Sequence, residues 1–251
     1  YHCFGCKASG DIFTFLVEKQ GMRFGEAVEQ LAAEAGLPVP QLTEQEVQRE
    51  EKRRSLYDVM DLAQAFFVKE LQGARGAKAR GYLADRDLSA AIQQQFGIGY
   101  APDDRSALRS HLADKGVDVA EMAEAGLVIS GDDVPVAYDR FRDRVMFPIR
   151  DGRGRVIAFG GRALRADVPA KYLNSPETPI FSKGEVLYNF DKARAAAHQK
   201  ASIIAVEGYV DVIAMTRAGF AETVAPLGTA LTENQLAILW RSAPEPILCF
   251  D

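Results

Sequence analysis

Three carboxylates late in the sequence have the type and spacing of a metal site for phosphoryl transfer. Glu207 directly follows the apolar run 203–206, Asp211 lies four residues further on, and Asp251 directly follows a second apolar run, 247–250. Carboxylates that converge repel one another unless a cation neutralises them, and a hard oxygen-liganded ion such as Mg²⁺ or Mn²⁺ suits them. Such an ion holds phosphates and can activate a hydroxyl for in-line phosphoryl or nucleotidyl transfer.

The elements around these acids predict that they meet at one edge of a sheet. Apolar runs at 202–206, 222–225 and 246–250 predict strands, and the stretches 211–218 and 232–241 predict helices between them. This βαβαβ order indicates a parallel sheet, whose ligands bind beyond the carboxyl ends of the strands. Gly208 permits the tight turn from strand to helix. An interpretation without a metal stays open, in which Glu207 caps a helix N-terminus and Asp211 faces solvent.

A strongly basic segment precedes this region. Between Tyr138 and Arg165, eight arginines and three aspartates give a net charge of +5, which leaves −10 for the rest of a chain whose total is −5. Three of the arginines alternate at strand period and are expected on one strand face: Arg140, Arg142 and Arg144. Such a cationic stripe would follow a phosphate backbone with salt-sensitive binding. The alternative is a solvated strand face whose arginines pair with Asp139 and Asp143.

Cys3 and Cys6 have the spacing of half a tetrahedral zinc site. The histidines His111 and His198 are isolated and are expected to be ordinary surface or core residues. A redox Cys-x-x-Cys is the alternative, but no thioredoxin-like βαβ pattern surrounds these two cysteines. We therefore expect half a zinc site, with weak or no stoichiometric zinc binding by this chain.

The composition excludes several classes of protein. Hydrophobic residues make up 47% and charged residues 26% of the 251 residues, a globular balance that excludes global disorder. No apolar run approaches the roughly 20 residues that cross a bilayer, and the first residues lack the pattern of a secretory signal. We expect a cytoplasmic protein with no membrane contact.

Helical periodicity dominates the first half of the chain. Two short helices are predicted, one from Ile12 to Lys19 and one from Phe24 to Ala35, in a module with little core of its own. Residues 38–55 are rich in Gln, Glu, Lys and Arg and are expected to form a solvated linker that becomes helical toward its end. Further helices are predicted at 56–71, 74–84, 89–96, 105–115 and 119–125, and strands at 134–138, 144–149 and 155–159, the last two joined by a hairpin at Asp151-Gly152.

Several long, ordered motifs resemble bacterial DNA primases of the DnaG type. Glu-Gly-Tyr-Val-Asp at 207–211, Pro-Leu-Gly-Thr at 226–229 and Cys-Phe-Asp at 249–251 resemble the Toprim domain of these enzymes. Residues 1–6 with Gly10-Asp11 resemble the second half of their zinc ribbon. Residues 138–149, 160–162 and 171–178 resemble their polymerase core. The resemblance covers nearly the whole chain.

The resemblance implies a function and a set of site residues. Primases of this type synthesise short RNA primers on single-stranded DNA for replication, from ribonucleoside triphosphates and with a divalent metal. Glu207, Asp211 and Asp251 resemble the catalytic, metal-binding acids. Six further residues match positions implicated in nucleotide or template handling: Arg86, Arg162, Lys171, Tyr172, Asn174 and Lys183. Tyr172 either stacks a base or is a core aromatic with an exposed hydroxyl.

The sequence also departs from the family pattern. Asp87 stands where the family commonly has glycine, which weakens the match at Arg86. The first pair of zinc ligands in the family would precede Tyr1, so Cys3 and Cys6 are expected to supply half of a Zn²⁺ site. The helicase-binding C-terminal region of the family is absent from this sequence, and through it the complete protein would contact the replicative helicase. We expect the complete protein to be a nucleotidyltransferase and this chain alone to be inactive.

The resulting fold class is α+β in four segments. Residues 1–38 are predicted to be the C-terminal part of a zinc ribbon, and residues 39–55 a charged linker. Residues 56–199 are predicted to be the N-terminal part of a helical and mixed α/β primase core. Residues 200–251 are predicted to be the truncated first half of a Toprim domain with a parallel sheet.

Two other functions stay open at this point. Another Toprim enzyme, a topoisomerase or a nuclease, would share the acids, although nothing singles out the nucleophilic tyrosine that a topoisomerase needs. A non-catalytic module that binds single-stranded DNA would keep the arginine surface of 140–165 without a working metal site. Salt-sensitive DNA binding without metal-dependent synthesis would identify the second of these.

Overall fold

The structure is a computed structural model that describes residues 1–5, 9–20, 22, 24–37, 44–228 and 230–250. Two of the predicted ligands, Cys6 and Asp251, lie outside these residues. The chain forms two compact units, Tyr1–Glu50 and Glu51–Asp251. In the described segments, no helix is both long and apolar enough to cross a bilayer.

The first unit carries the two predicted short helices, α1 (Ile12–Gln20) and α2 (Phe24–Glu34). Asp11 caps α1, because its carboxylate accepts a hydrogen bond from the backbone N–H of Thr14 at 2.8 Å, which also lowers the pKa of Asp11. Among the described residues of this unit, only Leu16 and Ala27 are buried apolar side chains. The core of this unit is therefore thin, as predicted for so small a module.

Helix α3 (Glu44–Gln72) begins inside the predicted linker. Residues 39–55 were expected to be solvated and to become helical toward their end, and the chain is helical from Glu44 onward. Glu, Gln, Lys and Arg have high helix propensity, and no glycine or proline interrupts them here. From Leu56 on, apolar side chains at helical spacing are buried, which confirms the predicted helix 56–71.

The next helices have nearly the predicted bounds. They are α4 (Ala77–Ala84), α5 (Ala90–Phe96), α6 (Ala107–Ala113) and α7 (Val119–Glu124), with a short 3₁₀ turn at Ala74–Gly76 before α4. The hydroxyl of Ser89 caps α5, and Gly97 ends that helix with a φ of +65°. Asp118 and Glu121 form a capping box at the start of α7.

The second unit contains an antiparallel sheet of four strands, in the order β1-β4-β5-β6, of which β1 lies between α5 and α6 in the chain. Its strands are β1 (Gly99–Ala101), β4 (Arg144–Arg150), β5 (Val156–Ala163) and β6 (Tyr172–Asn174). The hairpin between β4 and β5 turns at residues 151–154, where the predicted Asp151-Gly152 pair lies. Strand β4 begins at its predicted residue and ends one residue later than predicted, whereas β5 begins one residue later and continues four residues beyond its predicted end.

The predicted strand 134–138 is wrong except for its last residue. Tyr138 belongs to β3 (Tyr138–Asp139), which pairs with β2 (Val128–Ile129) in a separate two-stranded ribbon. Residues 134–137 are irregular, with a bend at 135–136, because Pro135 has no backbone N–H to donate to a ladder. Strands β1, β2 and β6 were not predicted, since two or three residues are too few for a period of two to be visible.

The predicted parallel sheet is present at the end of the chain, in the order β8-β7-β9. Its strands are β7 (Ile204–Val206), β8 (Thr223–Val224) and β9 (Ile247–Cys249). Helices α9 (Tyr209–Arg217) and α10 (Glu233–Ser242) connect them as predicted, and an unpredicted helix, α8 (Phe190–Lys200), precedes them. The strand nearest the acids, β7, is therefore the central one.

One hydrophobic core joins the four-stranded antiparallel sheet to the parallel sheet of the second unit. It contains Phe147 and Phe159 from the antiparallel sheet together with Ile204, Tyr209 and Val212 from the parallel region. A smaller cluster, formed by α8, α10 and the parallel strands, lies apart from it. Side chains of the two sheets are thus packed against each other, which fixes the acids relative to the basic segment.

Candidate functional site

The acidic turn, residues 207–211, lies at the carboxyl end of the central parallel strand β7. Glu207 directly follows β7, Gly208 is the N-cap of α9, and Asp211 lies in the first turn of that helix. Both carboxylates are exposed. A Cβ atom on Gly208 would lie 3.3 Å from Asp211 Oδ2, so a larger residue would crowd that carboxylate. The structure brings Glu207 and Asp211 to the same sheet edge.

Two exposed carboxylates at a sheet edge suit a hydrated hard cation. Mg²⁺ commonly binds through one or two carboxylates and keeps several waters. In the part of the chain that the structure describes, no three His, Cys, Asp or Glu side chains form a complete metal site. Glu207 and Asp211 are the described side chains of the acidic turn that would hold such a hydrated divalent cation. Of the predicted zinc ligands only Cys3 is described, and it is exposed.

A cavity of about 640 Å³ opens beside the acidic turn. It is lined by Glu207 and Phe250 and by the loop that follows β8, through Pro226, Gly228 and Leu231. Gly228 has a φ of +79°, which favours glycine, so this loop depends on that residue. Ligand sites commonly have volumes of about 300–1,000 Å³, and this cavity is therefore large enough for a nucleotide.

The predicted arginine stripe on one strand face is wrong in its geometry. Arg140 and Arg142 lie in an irregular segment before β4, because Asp143 has a φ of +46° and interrupts the strand period. Arg144 begins β4 and is buried. Its guanidinium donates hydrogen bonds to the backbone oxygens of Gly161 and Ala170, both at 3.0 Å, and to that of Lys171 at 3.4 Å. Arg144 is thus occupied by the protein itself.

The alternative prediction, in which the arginines pair with neighbouring aspartates, is also not what the structure contains. Asp139 accepts hydrogen bonds from the backbone N–H groups of Leu108 and Arg109, at 2.7 and 2.9 Å, where α6 begins. Burial raises the pKa of Asp139, and these two hydrogen bonds oppose that shift. Asp143 accepts hydrogen bonds from Lys78 Nζ and from the hydroxyl of Tyr100, both at 3.0 Å.

The three arginines nevertheless meet at one cavity of about 320 Å³, which we name the arginine cavity. Its charged lining consists of four arginines and two aspartates: Asp103, Arg140, Arg142, Asp143, Arg144 and Arg165. Burial lowers the pKa of Arg140, and its buried Nε has no hydrogen-bond partner among the described residues. The arginine cavity is therefore positive, with a buried donor that an anionic ligand would satisfy.

Arg86 and Arg162 are stacked with two tyrosines in a column that alternates cation and ring. The guanidinium carbon of Arg86 lies 3.8 Å from the ring centroid of Tyr82. That of Arg162 lies 5.5 Å from Tyr82 and 5.3 Å from Tyr172. Arg162 on β5 and Tyr172 on β6 are opposite each other in the strand register. Tyr82 was not predicted, since a single tyrosine on a helix gives no signal in the sequence.

Tyr172 is placed between its two predicted roles. It is 42% exposed, so it is not a core aromatic, and one side of its ring is approached by Arg162. Partial burial raises the pKa of its hydroxyl, and the nearby Arg162 charge opposes that shift.

Asp87, which follows Arg86, has a φ of +56°. This left-handed conformation explains why glycine is expected at that position, and aspartate tolerates it.

The remaining predicted residues are Lys171, Lys183 and Asn174, and only Asn174 forms side-chain hydrogen bonds that the structure shows. Lys171 is exposed directly before β6. The backbone N–H of Lys183 donates to Glu177 Oε1 at 2.9 Å, and its carbonyl accepts from Gln235 Nε2 at 3.0 Å. Asn174 Oδ1 accepts a hydrogen bond from the hydroxyl of Tyr209 at 2.6 Å, and Asn174 Nδ2 donates to the carbonyl of Leu227 at 2.8 Å.

An acidic turn at the end of a central parallel strand, beside a positive antiparallel sheet, suits a protein that handles phosphates with a divalent cation. Comparison with known families agrees with this arrangement. The DNA primase catalytic core, N-terminal domain, matches residues 66–194, the Toprim domain residues 201–251, and the CHC2 zinc finger residues 1–47. The chain belongs to the DnaG-type bacterial DNA primase family. The zinc ribbon and the Toprim domain imply binding of zinc and of a divalent metal, respectively.

Individual relatives support the same family. The DNA primase of Pseudomonas putida is 45% identical over 257 residues, an alignment with 100% of this chain and 38% of that protein. The DNA primase of Halalkalibacterium halodurans is 44% identical over 252 residues, with 100% of this chain and 42% of that protein. The chain therefore spans about two fifths of the length of these relatives.

Solved structures confirm the predicted fold class. The RNA polymerase domain of Mycobacterium tuberculosis primase has a TM-score of 0.75 and 37% identity, over 79% of this chain and 67% of that one. A DnaG primase catalytic domain bound to single-stranded DNA has a TM-score of 0.71 and 41% identity, over 80% and 62%. Aquifex aeolicus primase, with its zinc-binding and RNA polymerase domains, has a TM-score of 0.73 and 32% identity, over 100% and 59%.

Proposed function

We propose that this chain is the central part of a DNA primase that synthesises short RNA primers on single-stranded DNA. The observation that carries the proposal is the acidic turn, whose two exposed carboxylates lie at the end of β7 beside a cavity of nucleotide size. Membership in the primase family supports a nucleotidyl transfer reaction at that turn. The substrates are ribonucleoside triphosphates, and the template is single-stranded DNA.

The acids are proposed to hold the divalent cation. Glu207 and Asp211 would bind Mg²⁺ or Mn²⁺ together with Asp251, which follows β9, the strand paired with β7. The bound cation neutralises phosphate charge and stabilises the attacking and leaving oxygens of an in-line displacement. Gly208 keeps the space beside Asp211 open, so that the carboxylate reaches the ion without crowding.

The basic residues are proposed to bind the phosphates of nucleotide and template. Arg86, Arg162, Lys171 and Lys183 would neutralise the triphosphate, and Tyr172 would contact a base through the exposed part of its side chain. The arginine cavity would receive a template phosphate through Arg140 and Arg142. Arg144 would shape that cavity, because its own donors are used by backbone carbonyls.

The division of the chain is also part of the proposal. We infer a zinc-ribbon part at 1–38, a connecting segment at 39–55, a polymerase core at 56–199 and a Toprim part at 200–251. Cys3 and Cys6 would supply half of a zinc site whose other ligands come from a longer protein. The replicative helicase would contact a C-terminal region of that protein, and bacterial replication would place it in the cytoplasm.

The test is primer synthesis by the full-length primase that contains this segment. We expect Glu207→Gln to lower template-directed incorporation of ribonucleotides at least 100-fold, because a neutral amide holds a divalent cation poorly. Binding of single-stranded DNA should stay within about twofold of the unchanged protein, since Glu207 lies outside the arginine cavity. Synthesis that survives Glu207→Gln undiminished would remove the acidic turn from the mechanism.

A further inference from the structure

Two consecutive hydrogen bonds, which we call the relay, connect the acidic turn to the antiparallel sheet. The hydroxyl of Tyr209, which lies between Glu207 and Asp211 in the sequence, donates to Asn174 Oδ1 at 2.6 Å. Asn174 Nδ2 then donates to the carbonyl of Leu227 at 2.8 Å. The carbonyl of Leu227 can only accept, so the amide must present its NH₂ group there and its oxygen to Tyr209. The oxygen and the nitrogen of the Asn174 amide therefore each form a hydrogen bond within the protein.

The ring of Tyr209 packs into a space that is available because strand β5 has a glycine there. The ring is stacked on Phe147 at a centroid distance of 5.1 Å and meets Tyr188 edge-on at 4.7 Å. On strand β5, a Cβ atom on Gly160 would lie 2.4 Å from the hydroxyl oxygen of Tyr209. Burial raises the pKa of this hydroxyl.

The relay joins three segments that carry different parts of the proposed site. Asn174 ends β6, which also presents Tyr172, and its backbone carbonyl accepts a hydrogen bond from Arg140 Nη2 at 3.3 Å. Tyr209 opens the helix that carries Asp211. Leu227 lies in the loop that lines the cavity beside Glu207. The acids, the cavity loop and the arginine cavity therefore share one hydrogen-bonded junction.

We propose that Tyr209 and Asn174 are positioning residues that hold the acidic turn in register with the nucleotide-binding strand β6. This inference rests on the proposed function. The Tyr209 hydroxyl proton, Asn174 Oδ1 and one N–H of Asn174 Nδ2 form bonds within the protein, which favours a positioning role for both side chains. Catalytic groups must be held within about 0.5 Å of their working position, and a side-chain bond from strand to acidic turn supplies that restraint.

Tyr188 provides a matched control within the same aromatic cluster. It is 3% exposed and Tyr209 is 5% exposed, and their rings are in contact. Its buried hydroxyl has no hydrogen-bond partner among the described residues, whereas that of Tyr209 is bonded to Asn174. Tyr→Phe at either position removes one oxygen atom and leaves the packing intact. Only the change at Tyr209 breaks the relay.

The experiment compares Tyr209→Phe with Tyr188→Phe in the full-length primase. For Tyr209→Phe we expect kcat for primer synthesis to fall on the order of tenfold, with a higher Mg²⁺ concentration needed for half-maximal rate and little change in the KM for nucleotide. Without metal or substrate, amide hydrogen exchange at the backbone of residues 208–211 should be faster than in Tyr188→Phe. Tyr188→Phe should match the unchanged protein in all of these measurements.

A variant of Asn174 provides the second part of the experiment. If the relay acts as a unit, Asn174→Ala should lower kcat as Tyr209→Phe does, and the double variant should be no worse than either single variant. The inference is overturned if Tyr209→Phe changes neither hydrogen exchange nor metal dependence. It is also overturned if Asn174→Ala raises the KM for nucleotide while Tyr209→Phe does not, since Asn174 would then touch the substrate. In both cases a continued loss of activity in Glu207→Gln would leave the proposed function standing.

Discussion

The guanidinium of Arg86 lies over the ring of Tyr82, four residues earlier in the chain, with its carbon 3.8 Å from the ring centroid. The same ring lies 5.5 Å from the guanidinium carbon of Arg162 on strand β5. Tyr82 therefore contacts both arginines that are proposed to neutralise the triphosphate. It holds together two cations that would otherwise repel each other.

Tyr82→Leu should weaken nucleotide binding. Removal of the ring loses a cation–π contact of about 0.5–1 kcal/mol at an exposed site, so we expect the KM for ribonucleotides to rise about two- to fivefold. Tyr82→Phe keeps the ring and should preserve the KM. Steady-state primer synthesis at varied nucleotide concentration measures both variants, and an equal rise in KM for the phenylalanine variant would contradict a role of the ring.

Arg142→Ala should weaken binding of single-stranded DNA in a salt-dependent manner. Arg142 is exposed at the arginine cavity, and each phosphate contact that is lost should reduce the slope of log affinity against log salt by about 0.7. The control is Arg153→Ala, because Arg153 belongs to the same basic segment but lies in the hairpin turn, away from the cavity. Titration of a fluorescent oligonucleotide at several salt concentrations gives both slopes. Equal slopes for the two variants would remove the arginine cavity from the template path.

Arg144→Ala should mainly lower the stability of the protein. The buried guanidinium satisfies the carbonyls of Gly161, Ala170 and Lys171, so its loss should lower the free energy of unfolding by about 2–4 kcal/mol. Arg142→Ala, at the same cavity but exposed, should change it by less than about 0.5 kcal/mol. Urea denaturation measures both. If Arg144→Ala is as stable as Arg142→Ala, the hydrogen bonds of Arg144 contribute nothing to folding.

Gly160→Ala should destabilise the junction between the sheets. The added Cβ would lie 2.4 Å from the hydroxyl oxygen of Tyr209, and overpacking of this kind costs about 1–3 kcal/mol. Gly81→Ala is the control, because a Cβ there meets no atom within 4 Å and the residue is inside helix α4. That change should stabilise the protein by about 0.5–1 kcal/mol. Thermal unfolding of both variants shows whether Gly160→Ala lowers the stability and Gly81→Ala raises it.

Local patterns in the sequence predicted the helices and strands in which apolar residues recur at a regular spacing. The strands and helices of the parallel sheet were predictable because apolar runs and amphipathic stretches alternate there, and their order alone places Glu207 at a strand end. The acidic turn followed from that order without any knowledge of tertiary contacts. The helices α4 to α7 were predictable for the same reason, through spacing and caps.

Single backbone conformations and distant contacts were not predictable. The positive φ of Asp143 breaks the strand period that the spacing of the arginines predicts, and no neighbouring residue signals it. Asn174 and Tyr209 meet across 35 residues, and only the packed sheets bring their side chains together. Tyr82 reaches Arg162 through the packing of a helix on a strand, a relationship that helical and strand periods do not encode.

The central claim is that the acidic turn performs metal-dependent nucleotidyl transfer, and one variant pair tests it most directly. Asp211 and Glu233 are both exposed carboxylates in the first turns of helices of the parallel region, α9 and α10. Primer synthesis by the full-length primase should be measured for Asp211→Asn and Glu233→Gln on one DNA template, with DNA binding measured on the same samples. We predict that Asp211→Asn loses at least 100-fold in synthesis and keeps DNA binding, while Glu233→Gln keeps both. Equal synthesis by the two variants would contradict the account.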